Sequence, residues 1–402
     1  MSSERLGAAA WSRYAAHSYS APPESENRRF LEKLLAIGDG HPGQVLLPTS
    51  DETAWLYALH APELERYFRV AQPPLPVLLR ILDKKLFAEA ATRAGLAVLP
   101  SWGPRNLAEV VDLAPILPYP ILIKPRTHVH RLRNDKGIVV DSADQLKLKY
   151  QQFIDREQTR TVDNPLLRDA SAPILQHFVR VGIEGVHSVT GFIDRTGELF
   201  VTRAAAKVFQ RSQPVGVGVC FESRPHSPAL SDAVRRLCRE LGYFGIFEVE
   251  FLRFDGNWVA IDFNARLFNQ VGMDIRRGMP LPLFAYLDAA GETAALREAV
   301  ARAQAVHDGQ TAFCDRFTLR AILLAQTMIA RISPKNRDFW RSWTRQHSAN
   351  MVDFVAHEGD PVPELIHVLS EIYLGLRSLP RFLRSTPRAS AQMSGWPTKE
   401  LS

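Results

Sequence analysis

The chain has 402 residues, of which 46% are hydrophobic, and this combination is typical of a globular protein with two or three domains. Its net charge of +6 is spread along the chain, which suits a polyanionic ligand such as a nucleotide but does not indicate nucleic acid as a partner. The three cysteines are scattered, and no stretch reaches the roughly 20 apolar residues of a transmembrane segment, so we expect a cytoplasmic protein without disulfides, signal peptide or membrane span.

The first elements predicted from the pattern form a short α/β unit. Residues 29–37 and 53–64 space their apolar residues as helices do, and residues 44–48 between them are typical of a short buried strand. Ser50 and Asp51 follow the strand at its carboxyl end, where sheets of this kind bind ligands. Either residue would also serve as the N-cap of the second helix, and the sequence leaves both interpretations open.

Two lysines lie at the ends of the next elements. Lys84 follows Asp83, which is a suitable N-cap for a helix that ends at Gly95. Lys124 ends an apolar strand, where a lysine must either reach solvent or meet an anion. We favour the anion because the loop of residues 126–136 is rich in arginine and histidine and could fold over phosphates, although a solvated surface loop has the same composition.

The middle of the chain predicts an antiparallel sheet. Residues 172–203 read as alternating strands with a turn at residues 194–197, which would rest one face of the sheet on helices. The loop of residues 213–218 contains two glycines and would let a ligand approach the backbone closely. A helix over residues 231–241 then leads to the most informative segment of the chain.

That segment is a hairpin whose aromatic and β-branched strands carry the polar residues Glu248, Glu250, Asp262 and Asn264. A buried carboxylate is costly unless it is paired or binds a metal, and oxygen ligands of this kind suit Mg²⁺. We predict a three-residue turn, residues 255–257, because it would place Glu250 opposite Asp262 and Glu248 opposite Asn264. A half-exposed hairpin whose acids face water has the same alternation and is the alternative.

The C-terminal part is predicted to be mostly helical. An amphipathic stretch covers residues 362–376, and such a helix could contact an anionic membrane surface or a partner. We favour packing on the main body, because Pro380 and Pro387 are expected to break a continuous amphipathic helix.

Taken in order, these pieces resemble the ATP-grasp superfamily over residues 83–291, roughly half of the chain. The resemblance rests on an Asp-Lys pair opening a helix, a strand ending in Ile-Lys-Pro, a hinge strand and two acidic motifs: Asp83-Lys84, Ile123 to Pro125, residues 175–179, Glu250-Phe251 and Asp262 to Arg266. Residues 46–52 and 280–286 are more narrowly similar to the carbamoyl-phosphate-synthetase-like branch that includes D-aspartate ligase.

The resemblance implies an α/β (α+β) ATP-grasp fold in which two α+β subdomains, residues 83–170 and 171–295, clasp ATP. A shortened Rossmann-like domain, residues 1–82, would precede them, and a helical region, residues 296–402, would follow. Two departures from the family pattern affect the ATP site. The basic loop lacks the usual glycines, and His177 stands where the hinge commonly has an acid.

The resemblance also implies a role for each matching residue. Lys84 and Lys124 would contact the α- and β-phosphates, and Arg266 would stabilise the transferring phosphoryl group, so that Arg266 and Lys124 are the catalytic candidates. Glu250 with Asp262 would hold one Mg²⁺ (or Mn²⁺), and Asp262 with Asn264 a second. Adenine and ribose contacts are expected along the hinge, at Gln176, His177, Phe178, Val179, Arg180 and Glu184.

The implied activity is that of an ATP-dependent ligase, which joins a small carboxylate to an amine through an acyl phosphate. Its partners would be ATP and these two substrates, without nucleic acid, and a homo-oligomer is compatible with the sequence. The alternative is an ATP-binding protein with a regulatory or scaffold role, although the complete set of lysines and carboxylates argues against it. A NAD-dependent dehydrogenase is disfavoured because no glycine fingerprint follows the first strand.

Overall fold

The computed structural model describes residues 7–129, 137–156, 172–180, 186–211, 216–306, 309–328 and 332–384. After a 3₁₀ turn at Ala8–Trp11, the N-terminal elements build a small parallel unit in which β1 pairs with β2. The elements are α1 (Asn27–Gly40), β1 (Gln44–Leu46), α2 (Asp51–Leu59), α3 (Ala61–Leu64), β2 (Phe68–Val70) and α4 (Leu75–Leu82). The expectation that residues 1–82 form a shortened Rossmann-like domain stays a prediction.

A four-stranded antiparallel sheet follows, in the order β4-β7-β5-β6. Its helices pack around Val110, Ile121 and Tyr150 and form a separate small core. The elements of this part are α5 (Lys84–Arg93), β3 (Ala97–Val98), β4 (Ser101–Trp102), α6 (Leu107–Leu113), a 3₁₀ turn (Ala114–Ile116), β5 (Ile121–Lys124), β6 (Ile138–Val140), α7 (Ala143–Arg156) and β7 (Ile174–His177).

The other strands, together with β3, form an eight-stranded sheet in the order β14-β13-β10-β9-β8-β11-β12-β3, in which β13 is Ala312–Cys314 and β14 is Met351–Asp353. Helix α8 covers one face, and its apolar positions Leu230, Val234 and Leu237 join a large core that also includes residues of α1, α2 and α5. The elements are β8 (Val186–Ile193), β9 (Phe200–Arg211), β10 (Val217–Arg224), α8 (Pro228–Leu241), β11 (Gly245–Phe254), β12 (Asn257–Asn264), α9 (Val271–Arg276), α10 (Leu281–Ala290) and α11 (Thr293–Ala305).

The C-terminal region is helical, as expected, and also adds two short strands to the edge of the large sheet. β13 pairs antiparallel with β10, and β14 pairs parallel with β13. The elements are β13 (Ala312–Cys314), α12 (Arg316–Met328), α13 (Pro334–Gln346), β14 (Met351–Asp353) and α14 (Val362–Arg384). Helix α14 continues past Pro380, so the expectation that this proline ends the helix is wrong. In the part of the chain that the structure describes, no helix is both long and apolar enough to cross a membrane.

The predicted three-residue turn of the β11–β12 hairpin is wrong. The turn has two residues, Asp255 and Gly256, and Phe254 pairs with Asn257. Both turn residues have positive φ, 47° and 76°, which matches the twist of the flanking strands and is accessible to glycine and, at small cost, to aspartate.

A β-bulge restores the pairing that the acids were predicted to have. With a two-residue turn and a regular ladder, Glu250 and Asp262 would lie on opposite faces of the sheet. The register instead shifts by one residue at Ile261, so that Glu250 pairs with Asp262 and Glu248 with Asn264. The prediction for these pairs is therefore confirmed, although the bulge rather than the turn produces it.

Candidate active site

Two carboxylates of the hairpin lie opposite each other, and each is paired with a lysine from another element. Lys207 of β9 donates to Glu250, with 2.7 Å between Nζ and Oε1. Lys84, at the start of α5, donates to Asp262, with 2.7 Å between Nζ and Oδ1. The four side chains are between 9% and 27% exposed. Two anions and two cations therefore share a partly shielded layer, where their interactions are stronger than in bulk water.

The surrounding cations decide the ionisation of Asp262. Burial alone would raise the pKa of this carboxyl, but the charges of Lys84, His128 and Lys124 outweigh burial and hold its pKa well below its usual range. For Lys207, burial alone would lower the pKa, and the neighbouring carboxylates raise it above the ordinary lysine value. At neutral pH the layer therefore contains an ionised Asp262 and a charged Lys207.

Glu248 is more deeply buried and serves to orient Asn264. Its Oε1 accepts hydrogen bonds from Ser188 Oγ at 2.6 Å and from Gln270 Nε2, and its Oε2 accepts one from Asn264 Nδ2 at 2.9 Å. Burial, followed by the charge of Glu250, raises the pKa of Glu248. These bonds fix the Asn264 amide with its oxygen turned away from Glu248.

Arg266 connects the hairpin with the N-terminal unit. Its Nε donates to Asp51 Oδ1 at 2.7 Å, and its Nη2 donates to Asn264 Oδ1 at 2.9 Å. The N-cap of α2 is Ser50, whose side chain accepts from the Thr53 N–H at 3.0 Å. Of the two interpretations left open by the sequence, the capping role thus belongs to Ser50, while Asp51 holds the arginine of the site.

Lys124 comes from the small sheet and lies close enough to Asp262 to lower the pKa of that carboxyl. It is the last residue of β5 and is 7% exposed. The segment that follows it is attached to α5, because Lys84 N–H donates to the Arg126 carbonyl at 2.9 Å and Arg126 Nη2 lies 2.7 Å from Asp83 Oδ2. Asp83 also caps α5, as predicted. The two lysines expected to bind phosphate are therefore held on connected elements.

The predicted hinge begins in β7 and reaches the tip of the hairpin. Gln176 donates from Nε2 to Ser101 Oγ at 2.9 Å, so its amide is engaged inside the small sheet. The ring of His177 meets Phe254 edge to face, with 5.0 Å between ring centres. This contact joins the small sheet to the large one.

The remaining hinge residues contact both the small sheet and the hairpin of the large one. The Phe178 N–H donates to the Pro120 carbonyl at 2.9 Å, Val179 packs on the hairpin core, and Arg180 Nη2 lies 3.1 Å from Asp141 Oδ1. Glu184, the predicted ribose ligand, lies outside the described residues, as does most of the basic loop after residue 129. Their roles stay predictions.

Two polar side chains of the site were not among the predicted site residues. Lys207 lies on β9, which is separated from the hairpin in the sequence. The only sequence feature that pointed to Lys207 is its position four residues after Arg203, which places both side chains on one face of the strand. Gln270 follows the hairpin in a loop that gives no recognisable pattern. Both were missed because their neighbours in space are distant in sequence.

A further buried acid lies behind the site, on α9. Asp274 is 1% exposed and forms an ion pair with Arg277 at 3.4 Å. Burial raises its pKa to about 7, although the charge of Arg277 opposes the shift. Because this pKa is higher in the folded state than the ordinary value of 3.8, the folded chain binds the proton more tightly than the unfolded chain between these values.

We therefore expect the contribution of Asp274 to the free energy of unfolding to fall as the pH rises from about 4 to about 7, and to be constant outside this window. Asp274→Asn should lack this contribution, so the free energy of unfolding of the variant minus that of the unchanged protein should increase with pH in the window. Denaturant titrations at several pH values measure the difference. A pH-independent difference would contradict the assignment.

The donor set fits a hard divalent cation such as Mg²⁺. Glu250, Asp262 and Asn264 offer oxygen atoms, and the low pKa of Asp262 keeps that carboxylate ionised. Within the described ranges, no group of three or more histidine, cysteine, aspartate or glutamate side chains is arranged to hold a metal ion. Phosphate oxygens would have to complete the shell, which is the usual mode of Mg²⁺ binding at nucleotide sites.

No family model matches the chain, and no curated protein matches it by sequence. Solved structures do match. The biotin carboxylase domain of the 2-oxoglutarate carboxylase from Hydrogenobacter thermophilus, a dimer in complex with MgADP, ADP and bicarbonate, aligns with a TM-score of 0.54 at 16% identity over 66% of this chain and 57% of that one. Biotin carboxylase from Campylobacter jejuni, in complex with an ATP compound, gives 0.55 at 16% identity over 65% and 57%.

A third solved structure that matches the chain is named for a different activity. The L-amino acid ligase from Bacillus licheniformis aligns with a TM-score of 0.53 at 13% identity over 72% of this chain and 66% of that one. The chain thus spans 57% of the length of the two carboxylase structures and about two thirds of the ligase. At identities of 13% to 16%, these matches show a similarity of fold alone. The three solved structures share that fold. The chain has the ATP-grasp fold, as the sequence predicted.

Proposed function

We propose that the protein is an ATP-dependent ligase that joins a carboxylate to an amine. The observation that supports this best is the layer in which Glu250 and Asp262 face each other, Lys207 and Lys84 hold them, and Lys124 lies near Asp262. Such a layer can bind the phosphates of ATP and offset the charge that develops on them. It lies on the ATP-grasp fold, whose solved examples include both a carboxylase and an amino acid ligase.

In the proposed reaction, an oxygen of the carboxylate substrate attacks the γ-phosphorus of ATP, and ADP leaves. The nitrogen of the amine then attacks the carbonyl carbon of the acyl phosphate, phosphate leaves and the nitrogen loses a proton. Arg266 would stabilise the transferring phosphoryl group, and Lys84 and Lys124 would hold the phosphates. Glu250, Asp262 and Asn264 would hold Mg²⁺, which when bound offsets negative charge on the phosphate oxygens.

The adenine is proposed to lie along the hinge, from Gln176 to Arg180, with Glu184 as its ribose contact. We propose the domain boundaries given above, residues 1–82, 83–295 and 296–402, with a division of the middle part after residue 170. The loops expected to surround the two substrates contain no sequence pattern that identifies either one. Both substrates are therefore identified by the experiment that follows.

The test is ADP release in the presence of Mg²⁺, with carboxylates (amino acids and bicarbonate included) and amines added singly and in pairs. We expect one pair to stimulate release. With ¹⁸O in the carboxylate, one labelled oxygen should appear in the released phosphate, because the acyl phosphate passes it on. ATP binding without stimulation by any pair would favour the alternative, an ATP-binding protein with a regulatory or scaffold role.

Asp51 gives a more specific prediction, because it positions Arg266 rather than touching ATP. Asp51→Asn should lower kcat by roughly 10- to 100-fold, the usual effect of losing a residue that orients a functional group. The double variant with Arg266→Ala should be no slower than Arg266→Ala alone. Ser50→Ala is the matched control: it should weaken the cap of α2 by about 1 kcal/mol and leave kcat unchanged. Additive losses in the double variant would show that Asp51 acts independently of Arg266.

A further inference from the structure

Two of the three cysteines are direct partners near one edge of the large sheet. Cys220 lies on β10 and Cys314 on β13, and the antiparallel register pairs them although 94 positions separate them in the sequence. Their Sγ atoms are 3.1 Å apart, about 1 Å more than the length of an S–S bond. Cys238, the third cysteine, belongs to a different core cluster beneath α8. The structure thus brings together one pair of thiols and leaves the third apart from it.

The pair occupies a register position that suits a disulfide between strands. The Asp315 N–H donates to the Val219 carbonyl at 3.1 Å, so these two neighbours form a hydrogen-bonded pair of the ladder. Hydrogen-bonded and non-hydrogen-bonded pairs alternate, and Cys220 with Cys314 is therefore a non-hydrogen-bonded pair, in which the Cα atoms are about 4.5 Å apart. Disulfides join Cα atoms that are roughly 4.4–6.8 Å apart, so the bond requires no change of register.

The helices of the C-terminal region enclose both sulfurs. Cys220 and Cys314 are fully buried, in a cluster that includes Leu319 of α12 and Trp340 and Trp343 of α13. Burial raises the pKa of the Cys220 thiol, and the hydrogen bond with Cys314 raises it further. The thiolate is the reactive form of cysteine, and it is scarce while β13 stays paired with β10. Oxidation of the pair therefore requires local opening.

The edge of the sheet is built to open locally. β13 and β14 have three residues each, and β14 pairs with β13 on the side away from β10. Short strands at a sheet edge form few backbone hydrogen bonds and belong to the parts of a structure that open at low free energy. Detachment of β13 from β10 exposes Cys314, and its return places the two sulfurs in contact again.

We propose that Cys220 and Cys314 form a reversible disulfide that fastens the C-terminal region to the large sheet, with a peroxide as the oxidant. In a reducing compartment a bond of this kind is transient, so it forms in response to oxidation. Once formed, it is buried under α12 and α13 and holds β13 against β10. Cys238 takes no part, because it lies in another cluster.

The reaction balances with hydrogen peroxide. While β13 is open, the Cys314 thiol loses its proton and its sulfur attacks one oxygen of the peroxide. The O–O bond breaks, a sulfenic acid forms, and the hydroxide that leaves takes up the proton to give water. After closure the Cys220 sulfur attacks the sulfenic sulfur, the S–O bond breaks, and the hydroxide leaves as water with the proton of the Cys220 thiol. The two thiols lose two electrons, and the peroxide is reduced to two molecules of water.

The first test counts thiols in the full chain before and after treatment with hydrogen peroxide, with free thiols blocked as the protein is unfolded. We expect three thiols in the reduced protein and one after oxidation, with the peptides that contain Cys220 and Cys314 linked to each other. Cys238→Ala is the matched control and should form the same link with no free thiol left, whereas Cys314→Ala should form none. Three remaining thiols, loss to sulfinic acid without a link, or a link through Cys238 would overturn the proposal.

The second test measures whether the bond fastens the edge of the sheet. Amide hydrogen exchange of residues 312–314 should slow by at least roughly 10-fold in the oxidised protein, because β13 can no longer detach from β10. Exchange at β2, in the N-terminal unit, is the control and should not change. Dithiothreitol should restore three thiols and the faster exchange. Equal exchange of β13 in both forms, or a link that dithiothreitol does not reduce in the folded protein, would contradict a reversible fastening.

Discussion

Asp262→Asn should lower ATP turnover by roughly 1,000-fold while the chain still folds. The change removes a negative charge to which Lys84 is bonded directly and whose pKa Lys124 and His128 help to lower. It also removes the proposed metal ligand that the two Mg²⁺ sites would share. The loss of one strong electrostatic contact of this kind costs about 100- to 1,000-fold in rate, and a shared ligand belongs at the upper end. ADP release under saturating ATP and Mg²⁺ measures the effect.

The same variant needs a check on folding, because it leaves Lys84 buried without its carboxylate partner. We expect a stability loss of about 1–3 kcal/mol, which denaturant titration and circular dichroism will detect without loss of secondary structure. Asp112→Asn is the matched control, since Asp112 is exposed on α6 and undergoes the same chemical change. Turnover within a few-fold of the unchanged protein in Asp262→Asn would refute the metal assignment.

Arg266→Ala should have the second largest effect, a fall in kcat of about 100- to 1,000-fold with little change in the KM for ATP. The guanidinium bridges Asp51 and Asn264, and Asn264 is itself a proposed metal ligand. The lysines proposed to bind ATP lie on other elements, α5 and β5. A group that acts on the transferring phosphoryl affects the transition state more than the binding of ATP.

Two comparisons make the Arg266 result specific. Arg253→Ala removes an arginine from the exposed tip of the same hairpin, where it stacks on Trp258, and should leave kcat unchanged. Guanidinium ion added to the Arg266→Ala protein should restore part of the activity, because it can reoccupy the space between the two partners. An increase in KM with unchanged kcat would instead make Arg266 a residue for ground-state binding.

The hairpin shows what local sequence could and could not predict. Alternation along each strand predicted that Glu250 and Asp262 share a face, and the structure confirms it. The turn length was wrong, because a bulge at Ile261 leaves no mark in composition. It depends on how β12 fits between β11 and β3, which are set by the whole sheet.

Contacts across long separations account for most of the remaining gaps. Arg266 donates a hydrogen bond to Asp51, from which it is separated by 215 positions in the sequence. Lys84 donates one to Asp262 across a separation of 178 positions. The resemblance to a family predicted that Lys84 and Asp262 belong to one site, but it gave no partner for Arg266. In α14 the periodicity was visible, whereas the side of the helix that faces the body depends on contacts such as His367 with Asp315. Amphipathic spacing alone does not show which face is covered.

The bulge at Ile261 has a consequence for tolerance to length changes. The observed tip, a two-residue turn plus one extra residue, and a three-residue turn with a regular ladder use the same number of residues between Glu250 and Asp262. The turn can therefore shift by one position along the sequence while Glu250 stays paired with Asp262. A chain that lacks Ile261 would keep the observed turn, lose the kink and still place Glu250 opposite Asp262. The tip of the hairpin can therefore change its length by one residue without changing the pairing of Glu250 with Asp262.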